Sequence, residues 1–242
     1  MDILPRPPSM PSTGAPAPQR ISVIIPALNE ARGILETLRA LQPLRARGHQ
    51  VVVVDGGSTD GTAELARPLA DLVLAAEPGR AAQQNAGAAA AEGDVLLFLH
   101  ADTLLPPRAD DLVIGGLAAS GRGWGRFDVR LDGRHPLLRV VERMMGWRSR
   151  ATGIATGDQA IFVRRDWFRR AGGFPEIPLM EDVALSGILR HMGRPLCLRE
   201  RVLTSSRRWE ERGVVRTVLL MWRLRLAYAL GADPARLADR YR

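Results

Sequence analysis

The sequence has one cysteine, few aromatic residues and no long apolar run, and each of these absences excludes a class of protein. Cys197 alone cannot form an intrachain disulfide, which excludes a disulfide-stabilised secreted domain. No segment reaches the roughly 20 consecutive apolar residues that a membrane-spanning helix needs. Aromatic residues are 5% of the chain and its basic residues are dispersed, which disfavours a nucleic-acid-binding protein. We therefore expect a soluble, cytoplasmic protein without a nucleic-acid partner.

Lysine is also absent, so all 34 basic residues are arginine and the net charge is +8. A planar guanidinium can donate two hydrogen bonds to one oxyanion, which suits phosphate. The positive balance thus favours a phosphorylated small molecule or an anionic membrane surface as partner. The length of 242 residues and the hydrophobic content of 46% predict one large globular domain.

Strand-like and helix-like segments alternate through the first hundred residues. The Pro-rich stretch at 1–19 predicts a disordered leader before this alternation begins. The apolar runs are ISVIIP (21–26), QVVVVD (50–55), DLVLAA (71–76) and DVLLFLH (94–100). Helical patterns separate them at 30–41, 60–70 and 79–93. This order predicts an α/β fold with a mostly parallel central sheet and helices on both faces.

Polar side chains follow three of these strands. They are Asn29 and Glu30 after the first strand, Asp55 at the end of the second, and His100 with Asp102 after the fourth. Helix capping or a tight turn would explain any one group alone. Because the carboxyl ends of parallel strands meet at one edge of the sheet, the three groups together predict a ligand site there. The segment DGGSTDG lacks the G-x-G-x-x-G spacing of a dinucleotide-binding loop.

The segments VIIPALNE, VVVVDGGSTDGT, GRAAQQNAG and DVLLFLHADT resemble, in this order, the nucleotide-binding half of family 2 glycosyltransferases with the GT-A fold. The resemblance is close over 21–105 and continues loosely to about residue 210. The later segments GDQ, MED and SSRRW are similar to the acceptor half of the same family. The combination of H-A-D, G-D-Q and M-E-D also resembles a small bacterial subgroup associated with arsenosugar biosynthesis.

The resemblance implies transfer of a sugar from a nucleotide-diphosphate donor, with a UDP-sugar favoured, to an unknown acceptor hydroxyl. It further implies inversion and a divalent cation, Mg²⁺ or Mn²⁺. A GT-A domain over 20–212 would have a donor half at 20–105 and an acceptor half at 106–212, followed by a helical tail at 213–242. The implied donor-binding residues are Pro26, Asn29, Glu30, Asp55, Arg80, His100 and Asp102. The implied acceptor-binding residues are Gly157, Asp158, Gln159, Arg208 and Trp209. Asp182, with Glu181 beside it, would be the catalytic base.

Two positions depart from the family pattern. Gly56 replaces an acid after Asp55, and His100 replaces the first acid of the D-x-D element. An imidazole can ligate a borderline metal together with Asp102, or it can orient Asp102 through a hydrogen bond. We expect the orienting role and keep His100 as an alternative metal ligand.

Apolar residues and arginines alternate in the tail segment 213–231. This pattern predicts packing in the core or in a homodimer. The alternative is peripheral contact with anionic lipid at the inner face of a membrane.

Two functions other than glycosyl transfer remain open. A nucleotidyltransferase would favour a lysine-containing phosphate loop, which this chain lacks. A non-catalytic protein that binds a nucleotide sugar or a membrane is the other alternative, favoured by Gly56 and His100.

Overall fold

The computed structural model describes residues 19–241 apart from the side chain of Arg208, so the predicted leader lies outside the described residues except for Gln19. The strands in this range are β1 (Ile21–Ala27), β2 (Gln50–Asp55), β3 (Leu72–Ala75), β4 (Val95–Phe98), β5 (Thr103–Leu104), β6 (Trp124–Leu131), β7 (Phe162–Arg164) and β8 (Leu196–Thr204).

Helices α1 to α5 belong to the first half of the chain and α6 to α11 to the second. The first group is α1 (Ile34–Ala40), α2 (Gln42–Ala46), α3 (Thr62–Ala66), α4 (Arg80–Ala90) and α5 (Ala109–Ser120). The second group is α6 (Pro136–Thr152), α7 (Arg165–Arg170), α8 (Glu181–Met192), α9 (Arg207–Arg212), α10 (Val214–Ala229) and α11 (Pro234–Tyr241). α3 is shorter than the pattern at 60–70 predicts, because Pro68 has no N–H to donate to the carbonyl four residues before it.

The described strands form one mixed sheet in the order β3-β2-β1-β4-β7-β6-β8-β5. β1 pairs in parallel with β2 on one side and with β4 on the other, so the crossover direction reverses beside β1. Ligands of α/β sheets bind at such a reversal, outside the carboxyl ends of the strands. The antiparallel strand β7 connects β4 to β6. The predicted α/β fold with a mostly parallel sheet is confirmed.

Both faces of the sheet are covered, which explains the uninterrupted apolar runs. Along β2, Val51 and Val53 pack on one face, while Val52 and Val54 pack on the other. All four are fully buried, and each contributes about 1.5–3 kcal/mol relative to an exposed side chain. α1, α5 and α6 cover the first face, and α4, α7 and α8 cover the second.

Gly87 allows α4 to lie directly on the sheet. A Cβ at this position would stand 2.5 Å from Cγ2 of Ile24 and 2.9 Å from Cγ2 of Val54. No side chain larger than hydrogen fits there without a shift of helix or strand. The close approach places Arg80, the first residue of α4, near the carboxyl ends of β1 and β2.

The tail forms the helices α10 and α11, which pack against the segment before α8. Leu224 and Leu237 of these helices form a small apolar cluster with Leu179 and Met180. The tail is therefore joined to the segment that leads into the acidic pair at 181–182. Within the described range 19–241, none of the helices combines the length and apolar character that crossing a bilayer requires.

Candidate active site

The loops after β1 and β2 are tied to each other. Asn29 has a left-handed backbone (φ 55°), and its Oδ1 accepts the Thr59 N–H at 2.9 Å. The Glu30 N–H donates to Oγ1 of Thr62, also at 2.9 Å. Pro26 lies within β1, opposite a residue of β2. These contacts place both loops at the same edge of the sheet, as the sequence predicts.

Asp55 combines one satisfied and one unsatisfied carboxylate oxygen. Its Oδ2 accepts the N–H groups of Gly57 and Ser58 at 3.1 and 3.0 Å. Its Oδ1 is buried and has no hydrogen-bond partner, in a residue that is only 8% exposed. Leaving a buried acceptor unpaired is costly. The geometry therefore suits a ligand that brings an N–H or O–H donor to Oδ1.

Gln83 is a site residue that the sequence analysis missed. Its side-chain amide donates to the carbonyls of Ala27 and Val54, both at 2.8 Å, at the ends of β1 and β2. A Cβ at Gly56 would stand 3.0 Å from Nε2 of Gln83, so the amide occupies the space beside this glycine. The sequence offers one signal for this role, which is a glutamine one helical turn after the predicted site residue Arg80.

Glu30 and Asp102 form a carboxylate pair on the donor side. Burial, and secondly the charge of Asp102, raise the pKa of Glu30 above its ordinary value. Arg207 partly offsets this repulsion, with its Nη2 at 3.8 Å from Oε2 of Glu30. These three residues and Asp132 line a cavity of about 190 Å³. The contact of Arg207 was also missed, although it directly precedes the predicted Arg208.

The acidic pair lies at the start of α8, after Met180 in a left-handed conformation (φ 70°). Glu181 is 5% exposed, and its pKa is raised by burial and then by the charge of Asp182. Asp182 is less enclosed, and its Oδ2 accepts the Gly157 N–H at 2.7 Å. Its Oδ1 accepts the Val183 N–H at 2.6 Å. The two acids are thus adjacent in sequence but occupy different surroundings.

His100 faces Asp158, which corrects the expectation that it holds Asp102. Its Nδ1 lies 3.4 Å from Oδ1 of Asp158, and no hydrogen bond joins His100 to Asp102 in the described part of the chain. A Cβ at Gly157 would stand only 2.5 Å from Nε2 of the ring. Because Gly157 has no side chain, the imidazole can occupy the space beside it, and the ring lies away from Asp102.

Gln159 does not face the cleft, in contrast to its predicted acceptor contact. The side chain is fully buried, accepts the Thr156 N–H at 3.2 Å and donates to Oγ of Ser149 at 3.3 Å. Its amide therefore stabilises the loop internally. Trp209 is half-buried and packs against the main core. The side chain of Arg208 lies outside the described part of the structure.

Arg80 and His100 connect the donor side to the acidic pair. The charge of Arg80, and that of a protonated His100, lower the pKa of both Glu30 and Glu181 and so oppose the effect of burial. The groups that follow β1, β4 and the start of α8 thus belong to one electrostatic environment. They can hold a ligand that spans from the nucleotide side to the acidic pair.

Residues 22–169 match the model described as Glycosyl transferase family 2, which is more than half of the 242 residues. The chain belongs to this family. Probable glycosyltransferase YdaM of Bacillus subtilis is 26% identical over 236 residues, which are 88% of this chain and 55% of YdaM. The chain spans about half or less of the length of the curated relatives it matches.

Two solved structures share the fold. TarS of S. aureus, solved in complex with UDP-GlcNAc, has a TM-score of 0.62 at 21% identity over 77% of this chain and 58% of that one. Mannosyltransferase PcManGT from Pyrobaculum calidifontis, solved with GDP-Man and Mn²⁺, has a TM-score of 0.62 at 27% identity. That match covers 90% of this chain and 64% of PcManGT. The predicted family and the GT-A-like fold are confirmed.

Proposed function

We propose that this family 2 chain transfers a sugar from a nucleotide-diphosphate donor to an acceptor hydroxyl, with inversion at the anomeric carbon. The observation that carries the proposal is the meeting of two groups at Gly157, where a Cβ would stand 2.5 Å from Nε2 of His100, which follows β4, and 3.7 Å from Oδ2 of Asp182. Glycosyl transfer with inversion requires the leaving diphosphate and the acceptor base to act on opposite sides of one sugar. Strand-end groups that could bind a nucleotide thus lie close enough to an acid for both to act on one sugar.

On the donor side, Oδ1 of Asp55 supplies an acceptor for the imide N–H of a uracil, and we favour a UDP-sugar for this reason. The N–H of guanine offers a similar donor, and PcManGT was solved with GDP-Man. Glu30 is placed to accept a ribose hydroxyl. Arg80 at the start of α4 would bind the α-phosphate, with the helix dipole adding to its charge.

A divalent cation, Mg²⁺ or Mn²⁺, fits the donor side on the chemistry of its oxygen ligands. The mutual repulsion of Glu30 and Asp102 is relieved by a cation. In the described residues no group of three or more His, Cys, Asp or Glu side chains could hold a metal by itself. Asp102 would therefore hold the ion together with diphosphate oxygens and water. The ion, when bound, neutralises charge that builds on the leaving group. The predicted ligation by His100 is disfavoured, since its ring faces Asp158.

Asp182 is the residue best placed to act as the base. As the acceptor oxygen bonds to the anomeric carbon, its proton passes to Asp182 and the bond to the diphosphate oxygen breaks with its electron pair. The N–H groups that hold both Asp182 oxygens fix their direction. A single displacement of this kind inverts the anomeric configuration. Glu181 is too enclosed to receive the proton as directly.

We assign residues 20–105 to the donor half, 106–212 to the acceptor half and 213–242 to the tail. In the acceptor half, Gly157 and Asp158 border the base, and we propose that they and Arg208 bind the acceptor, with Trp209 supporting the loop. The likeness of H-A-D, G-D-Q and M-E-D to the arsenosugar-associated subgroup remains our proposal for the narrower assignment.

We also propose that the tail contacts anionic lipid, together with α6. The contacting helices α6 and α10 expose an apolar surface, here called the α6–α10 surface. Its residues are Leu137, Val140, Met144, Trp147, Val215, Leu219, Trp222 and Leu226. α10 contains no acid, and Glu142, the acid of α6, is buried. Exposed Arg143, Arg216 and Arg223 thus give these helices a positive charge, as anionic lipid requires. The alternative partner for this surface is a second copy of the chain, which would form a homodimer.

The test is incubation of the purified chain with a panel of nucleotide sugars, Mn²⁺ or Mg²⁺, and cell-extracted acceptors. We expect release of a nucleoside diphosphate. Asp182→Asn should reduce turnover by roughly 10²-fold or more and leave donor affinity unchanged, because it removes a proton acceptor but keeps the shape. Asp166→Asn, on the exposed side of α7, is the matched control. Full turnover by Asp182→Asn would exclude it as the base. Pyrophosphate release in a separate incubation with nucleoside triphosphates and sugar phosphates, without nucleoside diphosphate release from the nucleotide sugars, would indicate a nucleotidyltransferase.

A further inference from the structure

Arg148 of α6 carries an unpaired guanidinium inside the acceptor half. Its Nε and Nη2 are buried and have no hydrogen-bond partner. The third guanidinium nitrogen, Nη1, is not among the atoms that are both buried and unpaired. A desolvated cation without a partner is unfavourable, since burial removes the water that would otherwise bind its N–H groups. Arg150, two residues later on the same helix, instead donates from Nη2 to a carboxylate oxygen of Asp128 at 2.7 Å.

The charges that act on Arg148 identify the part of the molecule it faces. Burial lowers the pKa of Arg148, and the carboxylates of Asp182 and Asp158 oppose that effect. Arg126, which is fully buried, adds a second positive charge. The next residue along α6, Ser149, accepts a hydrogen bond from Gln159 of the G-D-Q loop, and the Gly157 N–H of that loop donates to Asp182, so Arg148 adjoins the loop that holds the proposed base. Neither acid comes within ion-pairing distance of it.

We propose that Arg148 is an anion-binding residue of the acceptor subsite, and that the acceptor carries a phosphate group beside the hydroxyl that receives the sugar. The guanidinium fork can donate two hydrogen bonds to one phosphate and so satisfies the unpaired N–H groups. The proposal rests on the glycosyl transfer argued above and narrows its acceptor class. It explains why a cation is kept enclosed next to the proposed base without a fixed partner.

The phosphate could belong to a soluble molecule or to a lipid head group. α6 carries Arg148 beside the G-D-Q loop and exposes Trp147, the residue before it, to 73%. A lipid-borne acceptor could therefore reach Arg148 from the α6–α10 surface. A soluble phosphate ester would bind with the same N–H groups.

The experiment measures ligand binding to the full chain with and without saturating UDP and Mn²⁺. The soluble probe is glycerol 3-phosphate, with glycerol as its neutral counterpart. The lipid probe is phosphatidic acid in phosphatidylcholine vesicles, compared with vesicles of phosphatidylcholine alone. The variants are Arg148→Met, which keeps the length and removes the charge, and Arg148→Lys, which keeps the charge. Arg143→Met, exposed on the same helix, is the matched control for the soluble probe, and Arg39→Met, exposed on α1, is the control for the vesicles.

We expect Arg148→Met to lose at least tenfold in affinity for one of the two phosphate probes, Arg148→Lys to recover part of it, and Arg143→Met to retain binding of the soluble probe. Loss for glycerol 3-phosphate indicates a soluble acceptor, and loss for phosphatidic acid alone indicates a lipid. Equal affinity of the wild type and Arg148→Met for both probes would overturn the proposal. UDP affinity is read in parallel. If the wild type does not bind UDP, the proposed function itself fails.

Discussion

Glu181 and Asp182 show how one residue step changes the chemistry of a carboxyl group. Glu181 is enclosed and its pKa is raised, whereas both oxygens of Asp182 are held by backbone N–H groups. A glutamate with a raised pKa destabilises the folded state while it is ionised. This destabilisation is present above the raised pKa and disappears below the ordinary value of 4.5. A charged group that lowers the stability of the folded state in this way indicates that Glu181 has a function in the site.

We therefore expect Glu181→Gln to stabilise the protein at neutral pH, by about 0.5–2 kcal/mol, the common gain from removing an unfavourable site group. The gain should shrink as the pH falls and vanish below the ordinary glutamate pKa of 4.5, where both proteins are neutral at this position. Urea unfolding at several pH values measures this. A variant that is less stable than the wild type at neutral pH would show that Glu181 is stabilising when charged.

At the scale of elements, α4 joins the sheet through two buried glutamines with different roles. Gln83 donates to two carbonyls at the ends of β1 and β2. The next residue, Gln84, is equally buried, but its Oε1 has no partner. The first amide adds a hydrogen bond to each carbonyl, of which that of Ala27 also accepts the Gly56 N–H, whereas the second amide leaves one of its own atoms unpaired. Their neighbouring positions make them a natural pair for comparison.

We expect Gln83→Leu to lower the free energy of unfolding by about 1–3 kcal/mol, because it removes two buried hydrogen bonds to strand-end carbonyls. It should also weaken UDP binding, since both strand ends border the site. Gln84→Leu should be near neutral. Chemical denaturation and UDP titration of the two variants test this pair. Similar losses in both would mean that packing volume, and not hydrogen bonding, decides the result.

The elements differ in how well the sequence predicts them. β1 to β4 and the helices between them were predicted because strands buried on both faces and amphipathic helices have distinct apolar patterns. The partner of His100 could not be predicted, since it depends on space left by Gly157, which is distant along the chain and adjacent only in the fold. Gln83 and Arg207 were missed because their roles depend on contacts with strand ends and with Glu30. The buried state of Gln159 follows from the packing of α6, which no local pattern reveals.

At the scale of the whole molecule, the α6–α10 surface is the main region where large apolar side chains stay exposed. Trp147 and Trp222 are 73% and 54% exposed on neighbouring helices. Exposed apolar patches of this extent mark interaction sites, and arginines around them favour an anionic partner. The surface adjoins the acceptor half through α6, so contact there would bring the acceptor subsite close to the partner.

We expect the chain to sediment with vesicles that contain phosphatidylglycerol and to remain in solution with phosphatidylcholine vesicles. Trp147→Ala with Trp222→Ala should reduce binding by at least tenfold, because each tryptophan contributes apolar area at the interface. Added salt should weaken binding through the arginines. A dimer in solution that dissociates in the double variant, without vesicle binding by the wild type, would assign the surface to a second copy instead.

The single sheet also determines how the cleft can open. β4 from the donor half is hydrogen-bonded to β7 from the acceptor half, with Leu97 opposite Phe162, and both side chains belong to one core cluster. Rotation of the two halves about a hinge would break this pairing and expose the shared core. Hinge closure therefore cannot serve this molecule as it serves enzymes with two separate lobes. In the proposed transfer, donor entry and product release therefore proceed by local movement of the loops at the sheet edge, while the strands keep the site residues in register.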